Sequence, residues 1–210
     1  MRAECFGQSR PQEGRQHTQN QDAFVIGRQP IPWMGLCDGA GNAQSVAKRA
    51  LALLETRMKE VPLGQLLSNE VWVRFARSLD SALLGGAEAT LVAAAVAGEQ
   101  VIGVCVGDSR AYLVPFEGPV RLLTGSAAKA RLGSGEAAAA VYRDVLAARD
   151  VLLLVSDGAW TPLGTPGLER AVRGMLTRPF ADLPAAVLDA ASRRGRADDM
   201  TVVALRLLRA

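Results

Sequence analysis

The stretch TLVAAAVA at Thr90–Ala97, the pair Gly98-Glu99, and then QVIGVCV at Gln100–Val106 decide how this chain folds. Two strand-like runs joined by two turn residues form a hairpin. A hairpin with one face in water alternates apolar and polar positions. These two runs are apolar almost throughout, so both of their faces must be covered. Leu91 to Val106 is also the longest apolar region of the chain, and Glu99 and Gln100 divide it into pieces too short to span a bilayer.

The same reading extends outward. Upstream, Asp22–Ile26 and Trp33–Cys37 flank a turn segment with Gly27, Pro30 and Pro32, which predicts a second hairpin. Between the two hairpins lie two helical patterns. Ser45–Lys59 puts Ala47, Leu51, Leu54 and Met58 on one face, and Ser68–Leu84 does so with Val71, Phe75, Leu79 and Ala82, with Ser68 as N-cap. Downstream, Ala111–Phe116 and Val120–Leu123 form a third hairpin around Glu117-Gly118-Pro119. Thr124 to Arg149 has weak periodicity and two glycines close together, and reads as a mobile lid or loop. Val151–Val155 is a buried strand. Helices follow over Gly167–Leu176 and Asp182–Arg194, with Gly195 as C-cap, and Met200–Leu208 is a last strand. Hairpin connections make the sheets mainly antiparallel, and helices grouped apart from strands give the α+β class. Two sheets face to face with a helix pair outside each, a four-layer αββα sandwich, would cover both faces of every strand. The expected organisation is a single domain over 1–210 with a short flap near 124–149.

Bulk composition narrows the function classes. The 24 basic and 21 acidic residues leave a net charge of only +3, with Arg193, Arg194 and Arg196 the densest basic group. That balance argues against nucleic-acid or membrane partners. Cys5, Cys37 and Cys105 are odd in number, widely spaced and set in apolar runs, which fits buried thiols in a reducing compartment. Met1 to Arg15 lacks the apolar core of a signal peptide, so a cytoplasmic protein is expected. One histidine and dispersed cysteines disfavour zinc. No phosphate-binding glycine loop is present, and Gly133 with Gly135 lacks the third glycine of a dinucleotide fingerprint.

The informative residues are five aspartates at strand boundaries. Asp22 opens its strand and Asp38 follows the partner strand, so a hairpin makes them neighbours. Asp108 follows Gln100–Val106, Asp157 follows Val151–Val155, and Asp198 precedes Met200–Leu208. If the last two strands pair antiparallel, Asp157 and Asp198 meet at one sheet edge. Clustered carboxylates repel unless a positive charge lies between them, and hard divalent cations with oxygen ligands supply it. Asp38 and Asp157 are each followed by glycine, which lets backbone approach closely.

Six segments carry a family resemblance: Asn20-Gln21-Asp22, Asp38-Gly39-Ala40-Gly41, Ala89-Thr90, Gly107-Asp108-Ser109-Arg110-Ala111-Tyr112, Ser156-Asp157-Gly158, and Asp198-Asp199-Met200-Thr201-Val202-Val203. In this order they resemble the successive motifs of the protein phosphatase 2C family, over nearly the whole chain. The closing Asp-Asp-Met-Thr form also resembles the stage II sporulation protein E branch. The resemblance implies a β-sandwich with metals at one end and hydrolysis of phosphoserine or phosphothreonine in proteins by a metal-activated water. It implies two Mn²⁺ or Mg²⁺ ions, bridged by Asp38. Asp157 and Asp198 complete one site, and the Gly39 carbonyl binds the second ion. A third, weaker site falls to Asp108 with Asp157, and Asp22 orients water.

Three departures from the pattern matter. Gln21 stands where the family has glutamate. His17 stands where bacterial members carry a phosphate-gripping arginine. As imidazolium it could bind phosphate or protonate the leaving oxygen, with Arg15 as the alternative phosphate ligand. The span from Asp108 to Asp157 is short, which implies a trimmed flap. Arg110 is expected to be structural. These departures motivate a rival reading, a catalytically impaired phosphoprotein-binding module of the same fold.

Overall fold

The computed structural model describes residues 2–12, 20–40, 44–125, 130–195 and 198–208. Its elements run β1 (Arg2–Arg10), β2 (Ala23–Gly27), β3 (Trp33–Cys37), α1 (Gln44–Glu60), α2 (Asn69–Leu83), β4 (Leu91–Ala97), β5 (Gln100–Val106), β6 (Arg110–Val114), β7 (Arg121–Leu122), β8 (Ala140–Val145), β9 (Val151–Val155), α3 (Asp157–Arg173), α4 (Leu183–Ser192) and β10 (Met200–Leu208). Among the described residues, ten strands make two five-stranded sheets, ordered β1-β10-β9-β6-β7 and β2-β3-β4-β5-β8. All of the pairings are antiparallel.

Alternation along each strand builds the layers. In β4, Val92, Ala94 and Val96 enter the core between the sheets, while Leu91, Ala93 and Ala95 face α1 and α2. In β9, Leu152 and Leu154 point between the sheets, and Val151, Leu153 and Val155 pack under α3 and α4. β10 divides in the same way: Val203 and Leu205 go inward, Val202 and Ala204 outward. A period of two with apolar residues on both faces is what a middle sheet of a four-layer sandwich requires. The αββα expectation therefore holds. Ala93 and Ala95 of β4 share the core under α1 and α2 with Trp33 of β3 and with Trp72 and Phe75 of α2.

Three elements differ from the expectation. The first is β1, which has no strand signal in its sequence. Arg2–Arg10 carries charge at Arg2, Glu4 and Arg10, and its inward positions are small, so no hydrophobic alternation marks it. It forms by pairing with β10 over nine positions, from Arg2 opposite Leu208 to Arg10 opposite Met200. An edge strand tolerates such composition because one of its sides faces solvent.

The second is the stretch expected as a mobile lid, which contains β8. Ala140–Val145 pairs with β5 over six positions. Tyr142 is buried there, donating its hydroxyl to the Ala93 carbonyl at 2.8 Å across Gly103. A Cβ at Gly103 would stand 2.2 Å from that carbonyl and 2.4 Å from the tyrosine ring.

The third is α3, which starts ten residues before the expected Gly167. Pro162, Gly164 and Pro166 read as helix breakers, yet the chain makes two helical pieces joined at Gly164, where φ is 58°. Glycine takes that conformation without steric cost, and Pro166 lies in the first turn of the second piece, where a missing N–H costs nothing. Among the described residues no helix is long and apolar enough to cross a membrane.

Candidate active site

Pairing registers carry the aspartates to one end of the sandwich. Ala23 stands opposite Cys37, so Asp22 and Asp38 leave the ladder of β2 and β3 side by side. Val155 stands opposite Val202, which brings Asp157 beside the segment of Asp198 and Asp199. Asp108 lies in the turn between β5 and β6. Oxygens of Asp38, Asp108 and Asp157, one from each, all lie within 4.8 Å of one another. Asp198 acts electrostatically on both Asp38 and Asp157. With Asp157 it lines a cavity of about 240 Å³ next to the cluster.

The backbone around each carboxylate explains the placement. The Asp38 N–H donates to the Thr90 hydroxyl at 3.0 Å, and the Thr90 N–H donates to the Asp38 carbonyl at 2.8 Å. Thr90 is in turn hydrogen-bonded to Ser109 at 2.7 Å. One threonine thus ties the Asp38 loop to the Asp108 turn. Gly107 permits this junction: its φ is +87°, and a Cβ there would meet the Thr90 methyl at 2.8 Å. Gly158 has a comparable role. A Cβ at that position would stand 2.0 Å from the Asp199 carbonyl, so only glycine lets the first turn of α3 close on the Asp198 segment. This close approach gives Gly158 a packing role at the site. Gly39 forms an isolated bridge with Ala89, beside Thr90.

The electrostatics are those of an anionic cluster short of positive charge. Asp22 is only 4% exposed, and among the described residues neither of its oxygens has a hydrogen-bond partner. Burial pushes its carboxyl up to about 7; the nearby hydroxyls of Thr201 and Ser156 offset part of this, and the charges of Asp199 and Asp157 add to it. Burial, with Asp22 and Asp157, pushes Asp38 up to about 8, against the opposing pull of Arg131. Asp157 is raised by burial and then by Asp108 and Asp198. One oxygen of Asp108 is also buried without a partner. Half-buried carboxyl oxygens from three aspartates within 4.8 Å of one another, with a buried fourth carboxyl beside them, fit hard oxygen-seeking cations such as Mn²⁺ or Mg²⁺. Asp38, Asp108, Asp157, Asp198 and the Gly39 carbonyl are the groups available to hold them, with Asp22 buried beside them.

His17 and Arg15 lie outside the described residues. Arg110 does not enter the cluster: its guanidinium stacks 3.3 Å from the centre of the Trp160 ring and donates to the Tyr112 hydroxyl. The indole N–H of Trp160 donates to the Asp108 carbonyl at 3.1 Å, so Arg110 supports the Asp108 turn indirectly.

Three residues matter here that sequence reasoning passed over. The Asp199 carboxylate accepts the Gln12 and Gln21 N–H groups at 2.6 and 2.7 Å. Its place next to Asp198 was the available signal. Arg131 puts its guanidinium 3.9 Å from Asp108. Asp80, buried on α2, accepts the N–H groups of Gly133, Gly135 and Ala137 at 2.7, 3.2 and 3.4 Å. Nothing in the spacing of Arg131 or Asp80 marks them.

A scan against protein-family models gave no match, and neither did a search of curated proteins. Solved structures do match. The serine/threonine phosphatase of S. agalactiae superposes with a TM-score of 0.85 at 18% identity, covering 98% of this chain and 100% of that one. Stp1 of Staphylococcus aureus gives a TM-score of 0.85 at 19% identity, over 99% of this chain and 96% of that one. The catalytic domain of the phosphatase PstP, solved in complex with two manganese ions, gives 0.81 at 21% identity over 99% of both chains. Across almost its whole length, then, this chain has the fold of the bacterial serine/threonine phosphatases.

Proposed function

We propose that this protein is a metal-dependent phosphoprotein phosphatase that hydrolyses phosphoserine and phosphothreonine. The convergence of the Asp38, Asp108 and Asp157 oxygens within 4.8 Å, on a fold shared with a phosphatase that holds two manganese ions, carries this reading. Asp38, Asp157 and Asp198 with the Gly39 carbonyl are assigned to two Mn²⁺ or Mg²⁺ ions, and Asp108 with Asp157 to a weaker third. When bound, the ions supply a water acidic enough to attack phosphorus at neutral pH and charge to offset the phosphoryl oxygens. Asp22, buried beside the cluster next to the Thr201 and Ser156 hydroxyls, orients that water. Thr90 holds the Asp38 loop against the Asp108 turn, which limits the reorganisation required when substrate binds. His17 and Arg15 remain candidates to meet the substrate phosphate and the leaving oxygen. A cytoplasmic site of action and a phosphorylated protein as partner belong to the same proposal.

The rival reading is the impaired phosphoprotein-binding module, which Gln21 and His17 favour. Release of phosphate from a phosphothreonine peptide separates the two. The enzyme reading predicts release with manganese, none with EDTA, and none from Asp38→Asn. Peptide binding without release supports the rival, and activity surviving in Asp38→Asn would sink the mechanism.

A further inference from the structure

Arg131 occupies a built position. Leu132 is fully buried and exchanges both backbone hydrogen bonds with Ala89, at 2.8 and 3.1 Å. Ala89 is itself bridged to Gly39, so a short row of backbone contacts runs from the Asp38 loop to the residue after Arg131. On the other side the Asp80 carboxylate gathers the N–H groups of Gly133, Gly135 and Ala137. The turn carrying Arg131 is therefore pinned at both flanks to the sandwich and to α2.

From there the guanidinium reaches the acid cluster. It lies 3.9 Å from Asp108, within ion-pair range but beyond hydrogen-bond length. Its side chain makes no hydrogen bond to a described residue, and a guanidinium offers five N–H donors to a phosphate arriving at this centre. Arg110, the neighbouring arginine in sequence motif terms, is committed to Trp160 and Tyr112. The planar donor fork of arginine matches two oxygens of a phosphate, and a guanidinium beside bound cations is favoured there only when an anion arrives between them.

We infer that Arg131 grips the substrate phosphate at this site, from a turn that Asp80 of α2 holds in place as the positioning residue. This rests on the phosphatase reading for its substrate, and its chemistry requires only a phosphate dianion at the loaded acid cluster. It also gives the phosphate a cation despite the histidine at position 17.

Titration calorimetry of inorganic phosphate into the Mn²⁺-loaded full chain tests it. Arg131→Ala should bind phosphate about tenfold more weakly or worse, and Arg131→Lys should fall between it and wild type, since lysine keeps the charge and loses the fork. Mn²⁺ affinity in Arg131→Ala should equal or exceed that of wild type, because a competing positive charge has gone. Equal phosphate affinity in wild type and Arg131→Ala overturns the inference, as does a wild type that binds no phosphate. If wild type releases no phosphate from peptides yet binds it in an Arg131-dependent way, the phosphatase reading fails and this one stands.

Discussion

Two regions bring charge to the same end of the sandwich by different means. The aspartates arrive on strand ends whose positions are fixed by many ladder hydrogen bonds: Asp38 by the pairings of β3, Asp157 and Asp198 by the register of β9 with β10. Arg131 arrives on a turn held by one two-residue bridge and one buried carboxylate. The first arrangement should survive the loss of any single contact outside it. The second depends on Asp80. Charge fixed by a ladder should therefore fail only when the charged group itself is altered, and charge fixed by a clip should fail when the clip is removed.

The largest expected effect is at the ladder-fixed end. Asp38→Asn keeps size and backbone but removes a proposed ligand, and should lower phosphopeptide turnover by more than about 100-fold, the cost attached to merely supporting groups. Circular dichroism should be unchanged, since the ladder remains. A variant that melts instead would break the contrast.

The clip comes next. Asp80→Ala leaves three N–H donors without their acceptor and should cost about 3 kcal/mol in urea unfolding, at the upper end for charge-assisted hydrogen bonds. Phosphate affinity should fall with it, because Arg131 loses its support. A stability loss with phosphate affinity intact would show that the Leu132–Ala89 bridge suffices alone.

A third test concerns pH. Asp22 and Asp38 are raised to about 7 and about 8, above the ordinary value of about 3.9 for an unfolded aspartate. Between these values the folded chain holds more protons than the unfolded one, so stability in EDTA should fall as pH rises from about 4 to about 8, then level off. Cations bind the deprotonated carboxylates, so added Mn²⁺ should raise the melting temperature more at pH 8 than at pH 5.5. A flat melting profile in EDTA would contradict the crowding of these carboxyls.

The smallest effect is expected within β8. Tyr142→Phe removes one buried hydrogen bond and should cost about 1 kcal/mol by denaturant unfolding, with turnover unchanged. A large fall in turnover would mean that this strand, and not just the turn before it, positions the site.

The same contrast explains what could be read from the sequence. The layered fold was legible because β4, β5 and β9 are apolar on both faces, which few architectures accommodate. The acid cluster was legible because its members sit at strand ends, where pairing alone determines who meets whom. β1 was not, since its partner strand and not its own composition makes it a strand. β8 was hidden because glycines and an alanine run precede it, and its order comes from Tyr142 fitting over Gly103, a contact 39 residues away. Arg131 and Asp80 are 51 residues apart, and nothing local signals that one carries a turn for the other.

Anomalous diffraction from a crystal grown with manganese would locate the ions at the acid cluster. The account predicts two ions about 3.5–4 Å apart, the spacing of two-metal hydrolytic centres, with Asp38 between them and Asp157 and Asp198 on one. An acid cluster without anomalous density under saturating manganese, or ions bound elsewhere on the chain, would contradict it.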